Sequence, residues 1–354
     1  MTLNVALIGC GFIGRFHSTA LRAIAGRGAL DIKYAAVVDA DYDRASTFAE
    51  PTGAVPLADP HEAIDSPDID VVYICVPTGG HKELVLRAAE RGKHIFCEKP
   101  LATNLADVEE MVEAVEKAGV KAGVGLVLRH SPILTVLKDL ISDPTLGRMM
   151  TIVFRDDQFF PIEGHYASEW RRDSTIAGAG TLLEHSIHDI DILRWFAGDV
   201  RDLRGKTRNF AGYEGIEDLA IAQLAFENGA EATLTSIWHA VVGRSSTRHL
   251  EVFMEKGVFS IDHDYLGPIH YQVQAQNAQM LTEAEVRERY LKGVGLEGEI
   301  GEGLLAYSLE DYFFLKSVIE DNDPFPDFRV ALEAHRVIDG IYRSAAGDGE
   351  LVDL

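Results

Sequence analysis

Through the first third of the chain, short apolar runs alternate with segments whose apolar residues recur at three- and four-residue intervals. Residues 5–9, 34–38, 71–76, 94–97 and 120–127 read as strands. Residues 12–25, 43–49, 82–91 and 105–118 read as helices, the last two closed by Gly92 and Gly119. The run 71–76 (VVYICV) is apolar at every position, as expected of a strand with both faces covered. Such alternation predicts βαβ units and a parallel sheet. The pattern changes after Arg129. Residues 149–155, 219–226, 230–238, 250–254 and 258–261 read as strands, two of them joined by the hairpin turn Glu227-Asn228-Gly229. Residues 304–346 return to helical periodicity. The pattern predicts an α/β chain of two domains, 1–126 with a parallel sheet and 127–354 of α+β type with a mainly antiparallel sheet.

Length and composition agree with that division. The 354 residues suit about two domains of ~150 residues each. With 47% apolar and 25% charged residues the chain is neither disordered nor fibrous. Its 33 basic and 56 acidic side chains leave a net charge of −23, which argues against a nucleic-acid or anionic-membrane partner. An anionic cofactor remains compatible, because a few backbone amides suffice to hold a phosphate. Three cysteines, Cys10, Cys75 and Cys97, form no CxxC pattern, so a reducing compartment is expected rather than a disulfide framework. No basic segment precedes the first apolar run, and no apolar run reaches the ~18 residues of a membrane span. A cytoplasmic location is expected.

The first chemical signal is Gly9-Cys10-Gly11-Phe12-Ile13-Gly14, a GxGxxG placed after an apolar strand and at the start of a helix. In that context the first glycine makes the turn, the second admits a pyrophosphate to the backbone, and the third lets helix pack on strand. Asp39 closes the second strand. Its distance from Gly14 exceeds the usual ~20 residues, and Gly26-Arg27-Gly28-Ala29 reads as the insertion responsible. A carboxylate there accepts hydrogen bonds from the adenosine ribose hydroxyls and repels a 2′-phosphate, so NAD is favoured over NADP.

Glu98-Lys99-Pro100 follows the strand 94–97, where a parallel sheet opens its ligand crevice. Lys99 is expected near the nicotinamide, whose positive charge would lower the lysine pKa and suit it to proton transfer or substrate orientation. A cis bond before Pro100 is left open. Residues 178–191 run from a Gly-rich turn into a helix on which Glu184, His188, Asp191 and Trp195 share one stripe. An acid one turn before a histidine fixes its tautomer and steadies its charged form. Thr181-x-x-Glu184 equally fits a capping box, so both roles of Glu184 stay open. His185-x-x-His188 lacks a third ligand, and no metal site is expected.

These motifs together resemble the glucose–fructose oxidoreductase/inositol dehydrogenase/rhizopine-catabolism (Gfo/Idh/MocA) family. The resemblance rests on Gly9-x-Gly11-x-x-Gly14, Val76-Pro77-Thr78 with His81, Glu98-Lys99-Pro100, and 178–191 leading into Leu193-Arg194-Trp195. Leu250-Glu251-Val252-Phe253 through Lys256-Gly257 adds a further likeness. It implies a Rossmann domain followed by a domain with a large open sheet, whose exposed face is buried in a homodimer or homotetramer. It also implies a nicotinamide cofactor and a sugar, polyol or cyclitol substrate oxidised at a secondary hydroxyl. By the motif, Lys99 matches the catalytic lysine and His188 the histidine that moves the hydroxyl proton. Glu184 stands where many members carry Asp, Ser186 where Gly is usual and Ala179 where a middle Gly is usual. The same resemblance places Phe12, Ile13, Pro77, Thr78, His81 and Glu98 with Lys99 at the cofactor. Trp170-Arg171 lies just before the Gly-rich turn, where members often place residues facing cofactor or substrate, so Arg171 is a candidate substrate contact, and His165, Tyr166 and His239 are further candidates read from the sequence. A redox-neutral lyase, epimerase or glycosidase, or a non-catalytic NAD- and sugar-sensing regulator, would use the same fold.

Overall fold

Strands in the first third are apolar and often β-branched, and the helices between them each bury one stripe. The computed structural model describes residues 2–164 and 166–354. The chain divides into two compact units, one running to Leu126 and including Gly298–Leu332, the other Val127–Glu297 with Glu333–Leu354.

In the first unit the elements run β1 (Leu3–Ile8), α1 (Phe12–Gly26), β2 (Ile32–Val38), α2 (Tyr42–Ala49), β3 (Val55–Leu57), α3 (Pro60–Asp65), β4 (Val71–Ile74), α4 (His81–Glu90), β5 (His94–Cys97), α5 (Leu105–Ala118) and β6 (Ala122–Val124). Among the described residues the six strands form one parallel sheet in the order β3-β2-β1-β4-β5-β6. β1 is flanked by β2 on one side and β4 on the other, so the order reverses there. β3 and α3, unannounced by any long apolar run, complete one edge. Cys10, Cys75 and Cys97 are buried thiols.

The second unit holds α6 (Pro132–Ile141), β7 (Met149–Phe159), α7 (Ser174–Ala177), α8 (Thr181–Glu184), α9 (Ile187–Ala197), β8 (Val200–Arg208), β9 (Leu219–Phe226), β10 (Glu231–His239), β11 (Thr247–Met254), β12 (Gly257–Ile261), β13 (Ile269–Val273), β14 (Gln279–Leu281) and α10 (Glu283–Gly293). With the terminal β15 (Val352–Asp353) these strands form a nine-stranded sheet, β14-β13-β12-β11-β7-β10-β9-β8-β15, antiparallel except for the β7–β10 pair. Alternation along β10 and β11 buries Ala232, Leu234, Trp238, Leu250 and Val252 on one face.

Two sequence expectations change. The second domain is not continuous. α11 (Glu299–Leu305), α12 (Glu310–Ile319) and the start of α13 (Phe328–Ala346) belong to the first unit. There Phe328, Ala331 and Leu332 join its core, and Phe314 lies where a Cβ on Gly123 would stand. The helix expected to carry both Glu184 and His188 is broken between them. His185 leaves helical geometry (φ −121°, ψ −57°) and its Nε2 meets Asp156 Oδ2 at 2.8 Å, while Ser186 Oγ donates to Ser236 Oγ at 2.6 Å. Side-chain bonding at the two residues replaces continuation of the helix.

Candidate functional site

In the first unit the chain leaves β1 through Gly9, whose φ of +104° suits glycine. A Cβ on Gly14 would overlap the Gly9 carbonyl oxygen, so only glycine lets α1 approach β1 this closely. Gly11 is different, with no atom within 4 Å of an ideal Cβ. α1 starts there without a side-chain cap and without an acidic residue in its first turn. Phe12 is exposed and Ile13 half-buried beside it. The positive end of a 15-residue helix thus faces open space with no carboxylate of its own turn competing for it.

Asp39 follows β2. Its Oδ2 accepts the Cys10 N–H at 2.8 Å and its Oδ1 the Asp41 N–H at 2.9 Å, and each oxygen keeps a further lone pair. Arg44 Nη1 lies 3.6 Å from Oδ2. After β4, Pro77 is exposed and Thr78 buried. The buried His81 ring bridges two carbonyls, Val76 O from Nε2 (2.8 Å) and Pro100 O from Nδ1 (3.0 Å), tying the loop after β4 to that after β5. Lys99 is half-buried and its bond to Pro100 is cis. Glu98 is buried. Its Oε2 accepts the Lys99 N–H at 3.1 Å, and its Oε1 lies 2.9 Å from His17 Nε2. His17 and its second partner Asp311 escaped the sequence reading. His17 had a signal, since Gly14, His17, Leu21 and Ile24 form the buried stripe of α1. Asp311 lies far along the chain on α12 and had none.

In the second unit the Gly178-Ala179-Gly180 turn is filled from within. Glu217 Oε2 accepts the Gly180 N–H at 2.8 Å, and Oε1 accepts the Leu182 N–H and the Tyr342 hydroxyl, both at 2.9 Å. A Cβ on Gly180 would overlap the Glu217 backbone. Burial nevertheless raises the Glu217 carboxyl above its usual range. Thr181 does not cap α8 as a capping-box residue. It stands inside the helix, and its Oγ1 lies 2.7 Å from Ser236 Oγ. Glu184, buried, accepts Arg171 Nε–H at 3.1 Å, and that guanidinium lies over the Trp170 ring at 4.4 Å.

His188 is buried in the first turn of α9. Beside it in sequence, Asp189 Oδ1 accepts Arg248 Nε–H at 2.8 Å. Arg248 also reaches Asp264 at 2.8 Å and Asp156 at 3.4 Å. Burial, with the Asp156 charge adding and Arg248 opposing, lifts the Asp189 carboxyl to about 7. One turn on, Asp191 holds Arg129 through two bonds of 2.8 and 2.7 Å, and Arg129 stacks over Trp195. The half-buried Tyr166 ring packs on Phe159 at 5.5 Å. His239 ends β10 and accepts the Val241 N–H at 3.2 Å. The predicted substrate contact His165 lies outside the described residues.

Residues 3–126 match an oxidoreductase family with an NAD-binding Rossmann fold, and residues 134–260 match the GFO/IDH/MocA C-terminal domain. The chain belongs to the GFO/IDH/MocA oxidoreductase family. Among this family, the myo-inositol 2-dehydrogenase of Thermotoga maritima is 32% identical over 269 residues, covering 74% of this chain and 75% of the relative. The levoglucosan dehydrogenase of Pseudarthrobacter phenanthrenivorans is 28% identical over 97% of this chain and 96% of its own. A levoglucosan dehydrogenase solved with NADH and levoglucosan superposes with a TM-score of 0.87 at 25% identity, covering 100% of this chain and 99% of that one. NAD is the cofactor of the family's first domain. The first unit fits it, with open space over Gly11, an uncapped helix terminus and a carboxylate with spare lone pairs at Asp39. Among the described residues no helix is long and apolar enough to cross a membrane.

Proposed function

We propose that the protein is an NAD-dependent dehydrogenase that oxidises a secondary hydroxyl of a sugar, polyol or cyclitol. The observation that carries this reading is topological. Gly11, Asp39, Thr78 and Lys99 follow the carboxyl ends of β1, β2, β4 and β5, four adjacent strands of one parallel sheet around the point where its order reverses. The names of the relatives, inositol and levoglucosan dehydrogenases, supply the substrate class.

In this reading the Gly9–Gly14 turn, with Phe12 and Ile13, holds the pyrophosphate, and Asp39 accepts the adenosine ribose hydroxyls. Pro77, Thr78, His81 and Glu98 shape the nicotinamide end. NAD, held by these residues, would supply the hydride acceptor for the carbon that carries the reacting hydroxyl. His188 removes the hydroxyl proton, with Glu184 as the acid that orients it and Arg171 in turn holding Glu184. Lys99 serves as the hydrogen-bond donor that steadies the negative charge growing on the substrate oxygen. His165, Tyr166, Arg171 and His239 contact the substrate. Homo-oligomerisation through the open sheet face belongs to the same reading, supported by Val153 (38%), Ile221 (46%) and Val258 (37%) exposed on β7, β9 and β12. So does a cytoplasmic location.

The test is a panel of sugars, polyols and inositols with NAD and with NADP, followed by absorbance of the reduced cofactor. Turnover with NAD is expected. Lys99→Ala and His188→Ala should each lower kcat by about 10²-fold or more with NAD affinity little changed. Wild-type turnover in both variants would remove the assignment.

A further inference from the structure

We infer that His17 is a positioning residue for Lys99: clamped between Glu98 and Asp311, its ring fixes the carboxylate that holds the backbone from which the Lys99 amine projects. The inference rests on the reading of Lys99 given above. His17 lies on the buried face of α1 with no exposure. Its Nε2 is 2.9 Å from Glu98 Oε1 and its Nδ1 2.8 Å from Asp311 Oδ1. An ionised carboxylate only accepts, so a ring between two of them donates from both nitrogens and is an imidazolium. Glu98 passes the constraint on, since its other oxygen takes the Lys99 N–H at 3.1 Å.

The surroundings leave this arrangement little freedom. Phe96 and Tyr73 stand 5.0 and 5.6 Å from the His17 ring, centroid to centroid. A Cβ on Gly125 would collide with the Glu98 carboxylate, and one on Gly123 with Phe314 of α12, the helix that brings Asp311. The titratable groups facing the cluster are Tyr73 on β4, Cys75 after it, Cys97 and Glu98 at β5, and Glu310 and Asp311 on α12. Burial alone would strip the proton from His17, but Asp311 and Glu98 push it well above the ordinary imidazole range. Burial pushes Glu98 up, while the bond and charge of His17, joined by Lys99, hold it below the usual glutamate range. Burial, with Asp311 and Glu98 adding and His17 opposing, drives the Glu310 carboxyl well above its usual range. Without the imidazolium, burial favours the neutral form of Glu98. Lys99 then keeps only a weaker acceptor for its peptide N–H and loses a neighbouring negative charge.

His17→Gln and Asp311→Asn test this by two independent readouts. In the first, kcat of His17→Gln should fall by about 30- to 100-fold with KM for NAD within about threefold, because sub-ångström misplacement acts on the chemical step. The alkaline or acid limb assigned to Lys99 in the pH profile should move with it. In the second, the protein is reductively methylated with ¹³C and the Lys99 resonance, identified by its loss in Lys99→Arg, is titrated. Its midpoint should move by about half a pH unit or more in His17→Gln. An unmoved midpoint with kcat within threefold across pH, and only a lowered Tm, would make His17 a core staple and overturn the inference. So would a stoichiometric metal ion that leaves with a chelator and takes activity with it, since His17, Glu310 and Asp311 would then be ligands. If His17→Gln does not fold, Asp311→Asn, which keeps ring and Glu98, decides by the same shift in smaller size. If the wild type turns over no polyol, the dehydrogenase reading fails, while the resonance titration still settles the link between His17 and Lys99.

Discussion

Two glycine-rich turns lead into helices in this chain, and they have opposite fates. The Gly9–Gly14 turn meets one carboxylate, Asp39, which takes the Cys10 amide and leaves the helix terminus at Gly11 open. The Gly178–Gly180 turn meets Glu217, which takes the Gly180 and Leu182 amides and a tyrosine hydroxyl and closes the terminus. Both turns look alike in sequence. The difference is whether the protein spends its own carboxylate on the helix end or leaves that end for an anion. A glycine demanded by crowding and a glycine facing open space are therefore different signals, although they share one letter.

The largest effects should separate those two kinds of glycine. Gly180→Ala and Gly14→Ala each place a Cβ on backbone atoms that cannot withdraw, and each should cost ~4 kcal/mol or more, seen as loss of soluble folded protein. Gly11→Ala meets no atom of the chain. It should fold with a Tm within a few degrees of wild type and lose roughly tenfold or more in NAD affinity, because the methyl group occupies the path of the pyrophosphate. Equal destabilisation by all three, measured by thermal unfolding, would dissolve the distinction.

The fold was legible where one period ran long enough. The apolar run 71–76 and the helices closed by Gly92 and Gly119 announced a parallel sheet, and the Asn228-Gly229 turn announced a β9–β10 hairpin. The family followed from GxGxxG and Glu98-Lys99-Pro100 in their context. What stayed hidden depends on distant pairing. The return of 298–332 to the first unit is written in Gly123 making room for Phe314, a match no local window contains. The break after Glu184 is made by Asp156 and Ser236 on two strands, so helical periodicity through 181–195 could not reveal it. Asp311 reaches His17 from 294 positions away.

Of intermediate size is the contrast between the two carboxylates. Glu217→Ala strands two buried amides and the Tyr342 hydroxyl, and should cost about 3 kcal/mol in urea unfolding while leaving NAD affinity within twofold. Asp39→Ala strands one amide of a buried residue, Cys10, and exposes that of Asp41 to water, and should cost less than Glu217→Ala, about 1 kcal/mol. Its effect should fall on the cofactor instead, with about tenfold weaker NAD binding and a relative gain for NADP, since one of the two carboxylates beside Arg44 is then gone and only Asp41 remains. Fluorescence titration with both reduced cofactors measures this. A variant of Asp39 with unchanged selectivity would leave Asp39 as a turn brace only.

A smaller effect than the loss of Glu217 is in the pH dependence of stability, where buried carboxylates of the two units act with opposite sign. Glu98 is held below the ordinary range by His17, so its contribution is present above the unfolded value and is lost as pH falls through the folded one. Asp189, just past the closed turn, is raised to about 7 by burial. A group raised on folding contributes fully below its unfolded value of ~3.9 and loses that contribution as pH rises through the folded value. Urea unfolding should therefore show stability draining away between about pH 4 and 7.5. Asp189→Asn, uncharged at every pH, should flatten that decline by roughly 1–2 kcal/mol, less than the bare shift implies because Arg248 follows the charge. An unchanged slope in Asp189→Asn would mean that Arg248 and Asp156 keep Asp189 ionised in the native state, and that the proton shared by this cluster resides on Asp156.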